Sequence, residues 1–142
     1  MRQDKLTTKF QQALAEAQSI AIAHDNQYIE PVHVLSAMLA DPEAGAASLI
    51  ERAGGNVVRL RQDAQTAIER LPKVSGNSGD VQVGRDLVRA LNLTEKEAMQ
   101  RGDEFISNEM FLLAITDANL EVSRLMASAG VTKNLLNAAV TA

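Results

Sequence analysis

LTTKFQQALAEAQSIAIA (residues 6–23) and VGRDLVRALNLTEKEAMQ (residues 83–100) are the two stretches that decide the fold. In the first, Phe10, Ala13, Leu14, Ala17 and Ala21 recur at steps of three and four, which lines them along one face of an α-helix. Thr7 is placed to cap the free amides of its opening turn. In the second, Leu87, Ala90, Leu91, Thr94 and Ala98 stand 77 positions after those same five residues. The register persists beyond them. Phe105, Ile106, Leu112, Ala114 and Ile115 stand 77 after Tyr28, Ile29, Leu35, Ala37 and Met38. After the loss of one residue, Leu125, Ala129, Gly130 and Leu136 stand 76 after Leu49, Ala53, Gly54 and Leu60.

Working outward from the first stretch, Asp25-Asn26 ends helix one, and Pro31 stands where an opening turn tolerates proline. Val32, Leu35, Ala37, Met38 and Leu39 make a short buried helix, stopped by Asp41-Pro42. A third helix spans about Ala44 to Ala53 and ends at Gly54-Gly55, a pair suited to left-handed backbone. Asn56 caps a fourth, which carries Val57, Leu60, Ala64 and Ile68 and closes at Leu71-Pro72. The Gly-, Ser- and Asn-rich stretch Lys73–Asp80 reads as a loop. The expected architecture is therefore all-α: two pseudo-symmetric four-helix repeats packed as one domain over residues 1–142. Repeat one covers about 6–71, the loop about 72–84 and repeat two about 85–142. The period is too long for a solenoid. Each half is near the size at which a lone core is marginal, so the halves are expected to pack against each other.

Composition narrows the function. Aromatics are only 3% of the chain, so the apolar mass is Ala, Leu, Ile and Val, which favours helices. The net charge of −4 argues against a nucleic-acid reader, which needs a basic face. The helix–Gly–helix units Leu49–Ala64 and Leu125–Val140 read as packing units, although Arg59, Arg61 and Arg70 lie on the helix that closes the first and Lys133 is the one basic residue in the second. No cysteine is present, which excludes disulfides, thiolate metal sites and Cys nucleophiles. The first residues lead into no continuous apolar run of signal-peptide type. The longest apolar runs, Ile20–Ala23 and Met110–Ile115, are too short to span a membrane. There is no P-loop, no HExxH and no GxSxG. His24 and His33 read as structural histidines, with no metal site.

Asp103, Glu104 and Glu109 gather around one interhelix junction. They could form a general acid/base pair. Alternatively, Glu109 serves the dipole of a helix capped by Ser107 while Asp103 closes the loop on backbone amides. A third reading makes them the rim of a binding surface. The duplication bears on that choice. Glu16 corresponds to Leu93, His33 to Met110 and Ser36 to Leu113, so repeat two is more apolar near its first two helices. Either these residues face the other repeat, or they floor a groove for unfolded peptide in which Met supplies adaptability. The candidate floor is Leu91, Leu93, Met110 and Leu113, with Asp103 and Glu109 at the rim. An acidic rim around an apolar floor suits segments that mix basic and hydrophobic residues.

Leu6-Thr7 through Phe10, Ala13-Leu14, Ala17-Gln18 and Ala21, then Asp25-Asn26-Gln27-Tyr28-Ile29-Glu30-Pro31-Val32-His33-Val34-Leu35, resembles the first Clp amino-terminal repeat. Asp86-Leu87-Val88-Arg89 and Arg101-Gly102-Asp103-Glu104-Phe105-Ile106-Ser107 resemble the second. The likeness covers essentially the whole chain and is strongest to the domains that precede AAA+ protein disaggregases. It implies a non-catalytic, substrate-binding domain, itself a monomer, tethered to a hexameric ATP-driven motor. It further implies partners in unfolded or aggregated polypeptide and in the rest of the hexamer, cooperation with the DnaK chaperone system, and a cytoplasmic location. No cofactor is implied here, ATP and Mg²⁺ belonging to the AAA+ domains. Thr7, Asp103 and Glu109 match family residues linked to substrate engagement. Related unfoldases carry an acid-His pair opening the second helix of each repeat, whereas this chain has Val32-His33 and Glu109-Met110. The adaptors of those relatives are therefore not carried over, and a docking module for another folded adaptor or co-chaperone is the alternative reading.

Overall fold

The computed structural model describes residues 3–75 and 80–142. Residues 76–79 of the Gly-rich loop, and Met1 and Arg2, lie outside the described residues.

Helix α1 runs Thr8–Ala23, α2 Pro31–Ala40, α3 Ala46–Arg52 and α4 Val57–Glu69. Helix α5 then runs Arg85–Gln100, α6 Asn108–Thr116, α7 Glu121–Ser128 and α8 Lys133–Thr141. The local signals act as read. Thr7 Oγ1 accepts the amide of Phe10 and Asn56 Oδ1 that of Arg59, each satisfying an otherwise orphaned donor. Pro31 opens α2. Between α2 and α3, Pro42–Ala44 form a 3-10 turn, and α3 starts at Ala46 and not near Ala44.

The repeat is reproduced at the level of single backbone bonds. Helix α1 stops when Asp25 turns left-handed and the amide of Asn26 bonds Ala21 O at 2.9 Å. Seventy-seven positions on, Gly102 is left-handed and the amide of Asp103 bonds Ala98 O, also at 2.9 Å.

The halves are joined reciprocally. Strand β1, Tyr28–Ile29, pairs in parallel with β2, Gln82–Val83. These last two residues fall within the stretch read from sequence as loop. The matching contact is a parallel bridge between Leu6 and Ile106. Thus the amide of Gly84 bonds Ile29 O at 3.0 Å, and that of Thr7 bonds Ile106 O at 3.0 Å. The segment entering each repeat's first helix is strapped to the other repeat's first interhelix loop, as two-fold symmetry requires.

Helix packing follows the same rule: α3 lies against α8 and α4 against α7. The glycine turns meet near the pseudo-axis, where the amide of Asn56 bonds Ala129 O at 2.8 Å. A Cβ on Gly55 would lie 2.6 Å from Cγ2 of both Ile50 and Val131, so only glycine admits this approach. One continuous core results, with Phe10 and Phe111 stacked obliquely at its centre, their rings 5.7 Å apart.

Candidate functional site

Four of the residues singled out from sequence, Thr7, Asp103, Glu104 and Glu109, stand at one junction. The Leu6–Ile106 bridge holds Thr7 against the loop between α5 and α6. That loop carries Asp103, Glu104 and Phe105, and Glu109 stands in the first turn of the helix that leaves it. Ser107 caps this helix through the amide of Met110. Asp103, Glu104 and Glu109 are exposed, so their charges face solvent on one rim. Glu109 near a helix N-terminus also satisfies the dipole.

The proposed apolar floor is corrected in half of its members. Met110 is 2% exposed and Leu113 0%, so neither is available to a ligand. The cause is legible in α6 itself: Met110-Phe111-Leu112-Leu113-Ala114-Ile115 leaves no polar face, and a helix apolar all round is buried all round. It is enclosed by α5, α7 and α8 of its own half and by α2 and α3 of the other. Leu91 and Leu93, on the flank of α5, are half-buried against the core.

The comparison of halves therefore means something different from a greasier surface. His33, the counterpart of Met110, is equally buried. Its Nδ1 accepts the amide of Glu30 at 2.8 Å, and its Nε2 lies 2.9 Å from Asn26 Oδ1. Burial, assisted by His24, pushes its pKa from 6.5 down to about 4. At this position the repeats differ by a polar network against a thioether inside the core. At Ser36 and Leu113 the difference is half-buried against buried, and only Glu16 against Leu93 contrasts an exposed residue with a half-buried one.

Two functional candidates went unread in the sequence. Phe105 is 50% exposed amid the junction's carboxylates. Its counterpart Tyr28 is also exposed, so each repeat shows an aromatic ring beside its strap. The signal was present: an aromatic in a polar interhelix loop, followed by the residue that makes the bridge. Asn108 is 5% exposed, and neither side-chain polar atom has a hydrogen-bond partner among the described residues. Its counterpart is Pro31, which needs no such partner.

Arg61 holds Leu39 O with two guanidinium nitrogens, at 2.9 and 3.3 Å, and Arg59 pairs with Asp63 at 3.5 Å. Helix α4 is therefore not a free basic face. Glu30 has its pKa raised, first by burial and then by the carboxylates of Asp86 and Glu121. Among the described residues no group of three or more His, Asp or Glu is arranged to hold a metal ion. No helix is long and apolar enough to cross a membrane among them.

Comparison with known proteins adds the family context. The model of the Clp repeat (R) N-terminal domain matches residues 5–139. The chain is 42% identical over 138 residues to the chaperone protein ClpB of Dichelobacter nodosus; the match covers 97% of this chain and 16% of that chaperone. In structure it is similar to the Hsp104 N-terminal domain from Candida albicans, with a TM-score of 0.82 at 16% identity, covering 95% of this chain and 88% of that one. It is also similar to a ClpV N-domain in complex with a VipB peptide, with a TM-score of 0.79 at 20% identity, covering 94% and 82%. At such identities the likeness speaks for the fold alone.

Proposed function

The chain belongs to the Clp repeat N-terminal domain family, and from that premise we propose that it binds exposed segments of unfolded or aggregated polypeptide for an ATP-driven disaggregase. It is a chaperone-associated N-terminal domain that spans 16% of the length of its ClpB relative, so the activity of a whole disaggregase is part of the proposal. The observation that carries the reading is the Leu6–Ile106 bridge, which sets Thr7 beside a half-exposed Phe105 and the exposed carboxylates of Asp103, Glu104 and Glu109.

An aromatic face within an acidic rim suits a client segment that alternates apolar and basic residues. Leu91 and Leu93, both half-buried, offer further apolar surface on α5, while Met110 and Leu113 belong to the core. The contact area is small, and a client chain must be ordered to use it, so affinity is expected to be weak. Weak capture suits handover to the pore of a ClpB-type hexamer. Cooperation with the DnaK system and a cytoplasmic site of action belong to the same proposal, as do ATP and Mg²⁺ in the motor domains.

A chemical-shift titration with a reduced, carboxymethylated protein that cannot refold tests this. The expected response is one contiguous patch over Thr7, Asp103 to Ser107 and Glu109. An intact fold with no such patch overturns the assignment. The alternative, docking of a folded adaptor or co-chaperone, is favoured by one fact: a ClpV N-domain of this fold is found with a VipB peptide. It predicts a response to one folded partner and indifference to denatured chains.

A further inference from the structure

The two repeats end their first helices on the same backbone turn, but the molecule covers only one of the turns. In repeat one, residues 71–74, which follow α4, run along the loop between α1 and α2. Lys73 bridges Asn26 in the antiparallel sense, and the amide of Val74 bonds Asp25 O at 2.9 Å. Side chains reinforce the pairing: Asn26 Nδ2 donates to Pro72 O at 3.3 Å, and Lys73 Nζ to His24 O at 3.2 Å. With this segment in place Asn26 is 1% exposed.

In repeat two the counterparts of Asp25, Asn26 and Gln27 are Gly102, Asp103 and Glu104. Gly102 is left-handed as Asp25 is, and the Asp103 amide closes on Ala98 O as that of Asn26 closes on Ala21 O, so the loop edge is set in the same geometry. Among the described residues nothing bonds Gly102 O or the amide of Glu104, and Asp103 is exposed where Asn26 is buried. Met99 is likewise 73% exposed, against a half-buried Ile22 at the equivalent place.

A second open group belongs to the same place. In repeat one Leu71 lines a recess together with Pro31. The counterpart of Pro31 is Asn108, buried with both side-chain polar atoms unpartnered among the described residues. Proline leaves nothing to satisfy there, whereas asparagine leaves donors and an acceptor, which the main chain of an added segment can meet.

We propose that this edge of the α5–α6 loop takes an extended stretch of client polypeptide as an added strand, as residues 71–74 are taken in repeat one. The proposal rests on the reading that the domain engages polypeptide, and it names the form in which the client is held: antiparallel to residues 102–104, with a main-chain amide on Gly102 O and main-chain groups in reach of Asn108. Main-chain bonding supplies affinity without demanding one sequence, which suits unfolded clients. The remaining preference comes from side chains. The internal segment packs Leu71 against the core two residues before the exposed Lys73. In repeat two Asp103 and Glu104 lie on the edge itself, and Asp103 cannot donate to a carbonyl as Asn26 does, so its carboxylate is left for a cation. The favoured client stretch therefore carries an apolar residue two positions before a Lys or Arg.

The test is a chemical-shift titration of the chain with the capped hexapeptide Arg-Leu-Pro-Lys-Val-Ser, the sequence of residues 70–75, and with two analogues. One has an ester in place of the Lys–Val amide, which removes the donor meant for Gly102 O. The other has norleucine in place of Lys, which keeps the stem and removes the charge. The parent peptide is expected to move the backbone amides of residues 102–105 and the side-chain amide of Asn108. The ester is expected to bind about threefold to tenfold more weakly, the worth of one hydrogen bond, and the norleucine peptide also to bind more weakly than the parent. Equal affinity for amide and ester, equal affinity for Lys and norleucine, or shifts that miss residues 102–105 each overturn the inference. If the ester matches the amide while an unfolded client still moves the Thr7–Glu109 junction, this inference falls and the proposed function stands.

Discussion

Acidification is expected to weaken this domain through a single buried ring, that of His33. The side chain is wholly buried, and its Nδ1 is occupied as the acceptor of the Glu30 amide. The proton of the neutral ring therefore sits on Nε2 and is donated to Asn26 Oδ1. Asn26 in turn gives its side-chain amide to Pro72 O at 3.3 Å, so the network ties the start of α2 to the segment beyond α4. A second proton on the ring breaks the Glu30 bond and buries a charge. Burial accordingly holds the folded pKa at about 4, against 6.5 for the free side chain. The unfolded chain takes up its proton first. The stability from neutral His33 is complete above the unfolded pKa and is lost as pH falls toward the folded one. At 1.36 kcal/mol per unit, the full loss is roughly 3 kcal/mol.

Glu30 opposes this. Its pKa is raised by burial and by Asp86 and Glu121, so its contribution is present in acid and is lost as pH rises through its folded pKa. The clean comparison is therefore with His33→Met, the residue that repeat two carries at Met110. The variant is less stable at neutral pH by about 1–3 kcal/mol, because Asn26 Oδ1 and the Glu30 amide lose their partner. That offset does not depend on the charge of His33. Urea unfolding of both proteins at about pH 7 and about pH 4.5 should show the wild type losing roughly 2 kcal/mol more than the variant. Parallel pH profiles would refute the reasoning.

Gly55→Ala is expected to cost about 1–3 kcal/mol, read as a lowered Tm, since the new methyl collides with Ile50 and Val131; an unchanged Tm would mean that the seam gives way. Thr7→Ala should lose about 1 kcal/mol of unfolding free energy and Thr7→Ser almost none, because only the hydroxyl caps α1; equal losses would place the role of Thr7 elsewhere. Leu113→Ala should cost about 2–5 kcal/mol in chemical denaturation, and Leu93→Ala clearly less, since one is core and the other half-buried. Similar costs would contradict the placement of Leu113.

The local signals were legible because they are local. Thr7, Pro31, Asn56 and Ser107 act through bonds or backbone angles within one turn, and each starts the helix read from it. The apolar steps of α1 and α5 likewise name their buried faces: Phe10, Ala13, Ala17 and Ala21 in one, and Leu87, Ala90, Thr94 and Ala98 in the other. The site was legible only as a set of names. Thr7 was named apart from Asp103 and Glu109, and nothing in their spacing says that Leu6 bridges Ile106 and so brings them to one junction. The floor residues went wrong at Met110 and Leu113 because a polar-to-apolar change between repeats was taken as a change of surface. His33 shows why that inference fails, since a polar residue with two partners is as deeply buried as the methionine that replaces it.

By itself, then, the amino-acid sequence determined the helices, their caps and their duplication, because each depends on residues a few positions apart or on a repeat that counting reveals. Only the tertiary structure decided which faces remain open. Burial depends on what the other repeat brings across the pseudo-axis, and that partner lies some seventy positions away, beyond the reach of any local pattern. A still longer stretch of chain separates Thr7 from the acidic loop whose Ile106 carbonyl it bonds.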